Sequence, residues 1–443
     1  MIRPTPAIVA QSAVRRLPRL ALILLCMAYV LPGYFGREPW KNADITAFGY
    51  MLELSGTPVG SAWLAPSIMH LEPEVDALLP YWLGAWAIKL APAWLAPDFA
   101  ARLPFGLMLV AVLVATWYGI YHLARSAGAQ PVAFAFGGEA EPADYARAMA
   151  DGGLLGLIGC VGLAQFSHET TPALAQLCFT ALTFYGLSAL NRALALPLVA
   201  VGVGLVGLTL SGGPAVAALL GAGGALYGLI DRDDAQPGDD QRRWRVAGLL
   251  LATALAATLA TALGLWQWRL SPPGAGWREW RGLGRLFLWF TWPLWPLLLW
   301  TLWRWRHQLR DLPRNRHLAL PLLFLLVAVG TTLLTPASDR SLLLALPALA
   351  TLAAFALPTL DRSVTALIDW FTLLFFTGCA LIIWVIWISM QTGFPRQPAA
   401  NVAKLAPGFE PSLQVLALAV ALAGTVAWIW LVRWRVGRHR SAI

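Results

Sequence analysis

The chain has 443 residues, of which 58% are hydrophobic and only 12% are charged, and its formal net charge is +9. A soluble domain has about twice this share of charged residues, roughly 25%. The composition therefore excludes a disordered chain, a collagen-like chain, a disulfide-stapled secreted domain and an ordinary cytosolic enzyme. It predicts an all-α, polytopic membrane protein.

Apolar runs that approach the length of a membrane span follow one another along the chain. A transmembrane helix needs about 20 apolar residues, and about twelve runs come near that length. Arg15, Arg16 and Arg19 precede the first run, but no small-residue cleavage site follows it, so we expect a retained helix rather than a signal peptide. The predicted spans are 17–35, 103–124, 153–168, 171–190, 194–211, 214–230, 246–266, 286–303, 318–335, 341–359, 365–390 and 412–433.

The basic residues predict the orientation of these spans. If the N-terminus is cytoplasmic and the spans alternate, most of the 32 Lys and Arg residues fall in cytoplasmic segments, as the positive-inside rule requires. Both termini are therefore predicted to be cytoplasmic. Orientation explains the positive charge, so nucleic acid is not expected as a partner. No appended soluble domain is evident, and we predict one transmembrane domain over residues 1–443.

Two segments predicted to lie on the exterior side carry most of the interfacial features. The first, residues 36–102, is rich in acids and contains the amphipathic stretch Leu78–Leu90, with Tyr81 within it. Such a stretch is typical of a helix lying along the membrane surface. The second, Trp266–Arg285, interleaves Trp with Arg, including Arg269 and Arg278, which suits a lipid headgroup boundary and an anionic ligand.

Patterns of soluble chemistry are absent from the sequence. There is no Walker-type phosphate loop, no dinucleotide glycine pattern and no His-Glu-x-x-His, so a nucleotide-driven pump is not expected. Gly202, Gly204 and Gly207 lie in a predicted span and are interpreted as helix-packing residues. Cys26, Cys160, Cys178 and Cys379 lie in apolar runs without metal-ligand spacing and are interpreted as small hydrophobic residues.

The start of the first exterior segment, Gly36–Asp44, is the strongest local signal for chemistry. Its order is a base, an acid, a proline, a tryptophan, a base and an acid. A carboxylate such as Asp44 can accept a proton from a hydroxyl or an amine, while Arg37 and Lys41 can hold a phosphate. The alternative interpretation is a charged interfacial turn capped by Trp40.

Three other places hold charged candidates, and each keeps two interpretations. His168 and Glu169 either terminate two spans or form an acid/base pair facing a cavity. Arg340 either binds a phosphate or pairs with Asp339. Arg102 enters the second span and either contacts substrate or extends to the interface.

Four segments in order resemble the GT-C membrane glycosyltransferases of the aminoarabinose-transferase and protein O-mannosyltransferase type. "GREPWKNADITAFGYMLE" is similar to the opening loop of that family, and "LLPYWLGAWAIKL" with "FAARLPFGL" is similar to its next signature. "GLTLSGGPAVAALL" resembles its Gly-Pro turn, and "PASDRSLLLALPALATL" resembles a late span. Together these segments cover about residues 20–360.

The resemblance implies an inverting glycosyltransferase at the outer face of the inner membrane. A sugar would be carried on a polyprenyl phosphate and transferred to a lipid, glycan or protein acceptor. A first-loop carboxylate would act as base, and basic side chains would hold the phosphate. Membrane lipids, the donor and the acceptor are the expected partners, with no cofactor beyond the lipid-linked sugar; no metal ligands are assigned, and metal dependence stays open.

The sequence departs from the family pattern at four places. Ala43 stands at the usual base position, so Asp44 is assigned as base. Asp76 lies near the place of a phosphate-binding Lys, and Thr171-Pro172 replaces an acid-Pro pair, with His168 and Glu169 just ahead. The Lys of the Gly-Pro turn is missing in Ser211-Gly212-Gly213-Pro214.

These observations predict an outward-facing cavity beneath the first exterior loop. Two alternatives remain: a lipid or glycolipid transporter, and a catalytically degenerate homologue that serves as a lipid-binding subunit. A transporter predicts polar residues near the bilayer midplane, whereas these spans are nearly free of charge there. The candidate catalytic residues are Asp44, Glu169 and His168, and the candidate substrate-binding residues are Arg37, Lys41, Asp76, Tyr81, Arg102, Arg269, Arg278 and Arg340.

Overall fold

The computed structural model is helical throughout the part of the chain that it describes. It describes residues 5–14, 18–35, 38–39, 42–69, 71–232, 239–267, 270–274, 276–335 and 340–440. Within these ranges, only two isolated β-bridges interrupt the helical pattern, Ala10 with Glu139 and Ile68 with Leu71. The predicted all-α class is therefore confirmed.

Seventeen α-helices lie in the described ranges, joined by turns and short 3₁₀ helices. The α-helices are α1 Arg19–Val30, α2 Asn42–Gly56, α3 Leu79–Leu90, α4 Pro97–Ala124, α5 Pro142–Ile158, α6 Val161–Phe166, α7 Pro172–Ala189, α8 Ala195–Leu210, α9 Pro214–Ile230, α10 Asp239–Ala262, α11 Trp277–Phe290, α12 Leu294–Arg304, α13 Arg316–Leu334, α14 Leu346–Ala354, α15 Arg362–Thr392, α16 Arg396–Leu405 and α17 Val415–Arg440. The 3₁₀ helices are Gln11–Ala13, Ser61–Trp63, Ala127–Ala129, Leu309–Arg314, Ser341–Ala345 and Leu357–Thr359.

A helix lies at each predicted span, but fewer helices than expected are long enough to cross a bilayer. By length and composition, six helical stretches of the described chain qualify, or seven if the bent pair α11–α12 is one span. The predicted count of about twelve is not reached because several helices are short: α1 has 12 residues, α8 has 16 and α9 has 17. The six are Pro97–Ala124, Asp240–Ala262, Arg316–Leu334, Ser341–Thr359, Ser363–Thr392 and Val415–Trp434.

Two predicted spans are interrupted. The run 153–168 is divided where α5 ends at Ile158 and α6 begins at Val161. The run 286–303 is divided between α11 and α12, whose axes make an angle of 91°. Pro293, which has no N–H to donate, lies at the bend between the two helices, and α11 separates a polar face from an apolar face.

The chain forms two compact units, residues 1–359 and residues 360–443. In the first unit α4 packs against α1, α3, α5 and α7, and α7 packs against α8. In the second unit, Trp384 Nε1 donates to Thr425 Oγ1 at 3.0 Å and Trp428 Nε1 donates to Thr377 Oγ1 at 3.1 Å, joining α15 to α17. The predicted organisation as one domain stays a prediction.

Glycine allows the close approach of α7 and α8. A Cβ at Gly204 would lie 2.9 Å from the carbonyl oxygen of Phe179 and from the amide nitrogen of Thr183, and one at Gly207 would lie 2.3 Å from the Phe179 ring. Small residues at these positions let two backbones meet, as predicted. Gly202 does not share this role, since nothing lies within 4 Å of a Cβ there.

The first loop folds as two helices, as predicted. α2 and α3 pack on each other, and α3 also packs against α4. The two helices approach closely because Gly84 of α3 has no side chain and leaves room for Met51 of α2. A Cβ at Gly84 would lie only 2.2 Å from the Met51 Sδ. The pair of helices forms one wall of a large cavity in the first unit.

Candidate active site

A cavity of about 990 Å³ lies between the first-loop helices, the start of α7 and the end of α13. Its volume is at the upper end of the range for small-molecule sites, about 300–1,000 Å³. Three of its described lining residues carry charge: Glu72, Glu74 and Arg340. The full lining is Asn42, Ala43, Thr46, Ala47, Tyr50, Leu71, Glu72, Glu74, Val75, Tyr81, Thr171, Pro172, Ala173, Gln176, Thr335, Arg340 and Ser341.

Asp44 lies directly behind the wall of this cavity. It is in the first turn of α2, where a carboxylate is stabilised by the helix dipole, and its side chain is 2% exposed. Its Oδ1 accepts hydrogen bonds from the backbone N–H and from the hydroxyl of Thr170, both at 2.7 Å. Ala43, the preceding residue, lines the cavity, whereas Asp44 adjoins it from a buried position.

Glu169 and Arg340 form an ion pair beside Asp44. Arg340 donates to Glu169 Oε2 from Nε at 3.2 Å and from Nη2 at 3.0 Å. The Glu169 side chain is 1% exposed and that of Arg340 is 28% exposed, so only the cation reaches the cavity. A buried carboxylate needs such a partner, because desolvation of an isolated charge is costly.

The turn between α6 and α7 brings the two carboxylates together. Glu169 and Thr170 are adjacent in it, so Asp44, Thr170, Glu169 and Arg340 form one continuous polar chain. Pro172 begins α7 at a position where its missing N–H costs nothing. Arg340 is further held over the Phe166 ring, with its guanidinium carbon 4.9 Å from the ring centroid.

His168 occupies a packed position on the other side of this turn. Its Nδ1 is 2.9 Å from Ser167 Oγ, and its Nε2 is 3.1 Å from the Tyr29 carbonyl oxygen. Its ring contacts the rings of Tyr29 and Tyr34, with centroid distances of 5.6 and 5.1 Å. These contacts join the turn to the end of α1, so His168 positions the segment and does not line the cavity.

Tyr81, a candidate substrate-binding residue, lines the cavity. It packs against Tyr50 with a centroid distance of 5.3 Å, and both line the wall. Burial raises the pKa of Tyr81 above its ordinary value, and burial followed by the charge of Glu74 does the same for the pKa of Tyr50. Both hydroxyls therefore stay protonated at neutral pH and keep their capacity to donate hydrogen bonds.

The other described candidate residues are not brought into the cavity. Asp76 precedes α3, and its backbone packs near Gly212. Arg102 is buried in α4, with Nη2 3.3 Å from Asp98 Oδ2, and Arg278 is exposed on α11. Neither Asp76 nor Arg102 nor Arg278 is among the described lining residues. Arg37, Lys41 and Arg269 lie outside the described residues.

Sequence reasoning missed Thr170, Glu72, Glu74 and Gln176. Thr170 holds Asp44, the two glutamates bring negative charge to the cavity wall, and Gln176 donates to the Ser211 carbonyl oxygen at 2.8 Å. The only available signals were the position of Thr170 between Glu169 and Thr171 and the acidic character of residues 36–102. Of the described residues, no group of three or more His, Cys, Asp and Glu could hold a metal ion.

The fold is GT-C-like, as the resemblance implied, because it is similar to the fold of solved structures. Two solved structures with this fold are those of ArnT from Cupriavidus metallidurans, one bound to undecaprenyl phosphate and one in the apo state. The match to the first structure has a TM-score of 0.56 and 15% sequence identity, and it covers 95% of this chain and 72% of the ArnT chain. The match to the second structure has a TM-score of 0.52 and 15% sequence identity, and it covers 89% of this chain and 66% of the ArnT chain.

At 15% identity the likeness concerns the fold alone. It makes the chain a membrane-embedded helical protein, in agreement with its long apolar helices. No family model matches the chain. The search of curated proteins found no match either.

Proposed function

We propose that the protein is an inverting glycosyltransferase that moves a sugar from a polyprenyl-phosphate carrier to a lipid, glycan or protein acceptor. The observation that carries the proposal is the cavity of about 990 Å³ that has Arg340 on its wall and the Asp44 carboxylate directly behind the wall. The Arg340 guanidinium can bind an anionic phosphate, and the Asp44 carboxylate can accept the proton of an acceptor.

Arg340 is the proposed contact for the donor phosphate. Arginine binds phosphate through several N–H donors in a planar fork, and this side chain is partly exposed at the cavity. The fold shared with an ArnT structure bound to undecaprenyl phosphate supports a polyprenyl-phosphate donor. Arg37 and Lys41 are proposed as further phosphate contacts because they precede α2, whose first turn lies at the cavity.

Asp44 is the proposed general base. The acceptor hydroxyl or amine gives its proton to the Asp44 carboxylate. At the same time, the oxygen or nitrogen of the acceptor forms a bond to the anomeric carbon of the sugar. The bond from that carbon to the phosphate oxygen breaks, and polyprenyl phosphate leaves as an anion that Arg340 stabilises. The two hydrogen bonds from Thr170 orient the carboxylate for this step, and attack opposite the leaving group inverts the anomeric carbon.

The proposed location is the inner membrane, with the cavity at its outer face and both termini in the cytoplasm. The distribution of basic residues supports this orientation through the positive-inside rule. The cavity then opens on the side to which residues 36–102 are exposed, where a lipid-linked sugar and its acceptor meet.

A second function, lipid binding without turnover, is favoured by one observation. Ala43 lines the cavity at the position where the family's base is expected, and Asp44 is only 2% exposed. A general base must come within about 2.6–3.2 Å of the proton that it removes. In this alternative the chain binds polyprenyl phosphate as the subunit of another enzyme.

The experiment that separates these functions measures release of polyprenyl phosphate from polyprenyl-phosphate sugars by the purified full chain. We expect Asp44→Asn to lower kcat by about 10²–10⁴, the usual contribution of a general base. Glu53→Gln is the matched control, because Glu53 is an exposed carboxylate of the same helix. Full activity of Asp44→Asn would remove Asp44 from the mechanism.

The subunit alternative predicts a different pattern in the same assay. The wild-type chain would bind polyprenyl phosphate without releasing it from the sugar donor. Ala43→Asp, which places a carboxylate on the cavity wall, would then be required for any turnover. Turnover by the wild type that Ala43→Asp does not increase contradicts this alternative.

A further inference from the structure

A second polar site lies at the opposite end of the helical bundle. A small pocket of about 30 Å³ is enclosed by the ends of α7 and α9 and by the starts of α10 and α13. α7 begins at the large cavity and ends at this pocket, and α13 runs between them in the reverse direction. At 1.5 Å per residue these helices separate the two sites by about 27 Å, close to the apolar thickness of a bilayer.

Three arginines and one aspartate line the small pocket. Arg316 donates from Nη1 to Asp231 and from Nη2 to the Leu187 carbonyl oxygen. Arg245 Nη1 donates to Asn191 Oδ1 at 3.1 Å, and Arg242 Nε donates to the Gly228 carbonyl oxygen at 3.2 Å. Among the described residues that line the pocket, three arginines therefore accompany one aspartate, which is an excess of positive charge.

Two guanidinium N–H groups in the pocket have no protein acceptor. Nε of Arg316 and Nε of Arg245 are both buried without a hydrogen-bond partner among the described residues. The Arg316 side chain is 6% exposed, so bulk water does not solvate it fully. Buried donors are nearly always satisfied, and donors with unbalanced positive charge favour an anionic oxygen over a neutral one.

The size and position of the pocket restrict the anion. A space of about 30 Å³ exceeds the minimum for one water and admits phosphate oxygens, but not a sugar or a nucleotide. Two of the helices that border the pocket, α10 and α13, are long enough to span a membrane, and Trp244 beside it on α10 is 69% exposed, as expected at a headgroup boundary. Basic pockets between transmembrane helices suit anionic headgroups.

We propose that this pocket binds the phosphate of an anionic membrane phospholipid, with Arg242, Arg245 and Arg316 as its contacts. The phosphate oxygens enter the pocket and accept from the Nε–H groups, while the remainder of the lipid stays outside among the helix ends. The site is separate from the large cavity and does not depend on glycosyl transfer. The bound lipid would connect the end of α9 and the starts of α10 and α13 to the lipid leaflet at the end of the bundle opposite the large cavity.

The test is native mass spectrometry of the full chain, titrated with dioleoyl phosphatidic acid, dioleoyl phosphatidylcholine or inorganic phosphate. We expect phosphatidic acid to bind the wild type, and Arg245→Gln to weaken that binding about tenfold, the effect of one charge-assisted hydrogen bond. Arg243→Gln is the matched control, since Arg243 is an exposed neighbour that does not line the pocket. Arg245→Lys, which keeps the charge, should lose less affinity than Arg245→Gln.

Two further outcomes decide the proposal. Equal binding of phosphatidic acid to the wild type, Arg242→Gln and Arg245→Gln would overturn the site. Saturation by inorganic phosphate at the same concentration as phosphatidic acid would overturn its assignment to a lipid. If Arg245→Gln does not fold, Arg242→Gln decides alone, because the Arg242 side chain is only half-buried.

Discussion

Two buried carboxylates, Asp44 and Glu169, lie beside the large cavity, and their partners indicate what each residue does. Asp44 and Glu169 are both almost fully buried, but their described partners differ: Asp44 accepts from Thr170, whereas Glu169 accepts from a cation. The Asp44 carboxylate can exchange a hydrogen bond from Thr170 for the proton of an acceptor. A carboxylate in an ion pair is better suited to position the arginine that contacts phosphate.

Thr170 is expected to support catalysis through Asp44. Thr170→Val removes the hydroxyl donor but leaves the backbone N–H, so the carboxylate keeps one of the two hydrogen bonds from this residue. We expect stability to fall by about 1–3 kcal/mol, as for a hydrogen bond to a charged group, and kcat to fall with it. Denaturant unfolding and the donor-turnover assay measure the two effects. Thr170→Ser should behave like the wild type; equal loss in both variants contradicts this role.

The ion pair of Glu169 and Arg340 is expected to respond asymmetrically to mutation. Arg340→Met takes the guanidinium from a buried carboxylate and should cost about 2–3 kcal/mol, less than a fully buried pair because Arg340 is partly exposed. Glu169→Gln should cost less, since Arg340 can turn to water. Denaturant unfolding of both variants and of the double variant checks this order. A double variant less stable than Arg340→Met contradicts it.

At this scale the sequence predicts only part of the site. The sequence predicts Tyr81, Arg340 and Asp44 as site residues, and the structure has Tyr81 and Arg340 on the cavity wall but not Asp44. Thr170 could not be predicted because its contact with Asp44 joins positions 126 residues apart, and no local pattern encodes such a contact. His168 matched an acid/base interpretation as well as a structural one, and only its ring contacts distinguish them.

Hydropathy locates the helices well but not their directions. A helix was found at each predicted span, yet the division of 153–168 and the 91° bend between α11 and α12 were missed. Mean hydropathy measures how apolar a stretch of sequence is. A bend within an apolar stretch does not change this value, so hydropathy cannot predict the bend. The first predicted span is also shortened, because α1 ends at Val30 and the chain turns through Leu31–Phe35.

The contact between α7 and α8 offers a test with an internal control. At Gly204 a Cβ would lie 2.9 Å from backbone atoms of α7, which cannot move aside as a side chain can. Gly204→Ala should therefore destabilise the protein by about 1–3 kcal/mol. Gly202→Ala, on the same helix with nothing within 4 Å, should be neutral or stabilising by up to about 1 kcal/mol. Equal effects on denaturant unfolding would contradict the close packing.

Across the whole molecule, two polar sites lie about one bilayer apart within the first compact unit. Among the described lining residues, the large cavity has two glutamates and one arginine, and the small pocket has three arginines and one aspartate. This difference agrees with the distribution of basic residues in the sequence, which predicts the cavity side to be exterior. The fold class could be predicted from two features of the sequence. The apolar composition reflects the membrane as solvent, and the four short segments include the loop that forms the cavity.

The central claim is that the large cavity receives the phosphate of a polyprenyl-phosphate donor. A cryo-electron microscopy structure of the full chain with undecaprenyl phosphate tests it most directly. We predict phosphate density inside the cavity within hydrogen-bonding distance of Arg340, and its loss in Arg340→Gln. Lipid phosphate bound elsewhere on the chain, with the cavity empty at saturating lipid, would contradict the account.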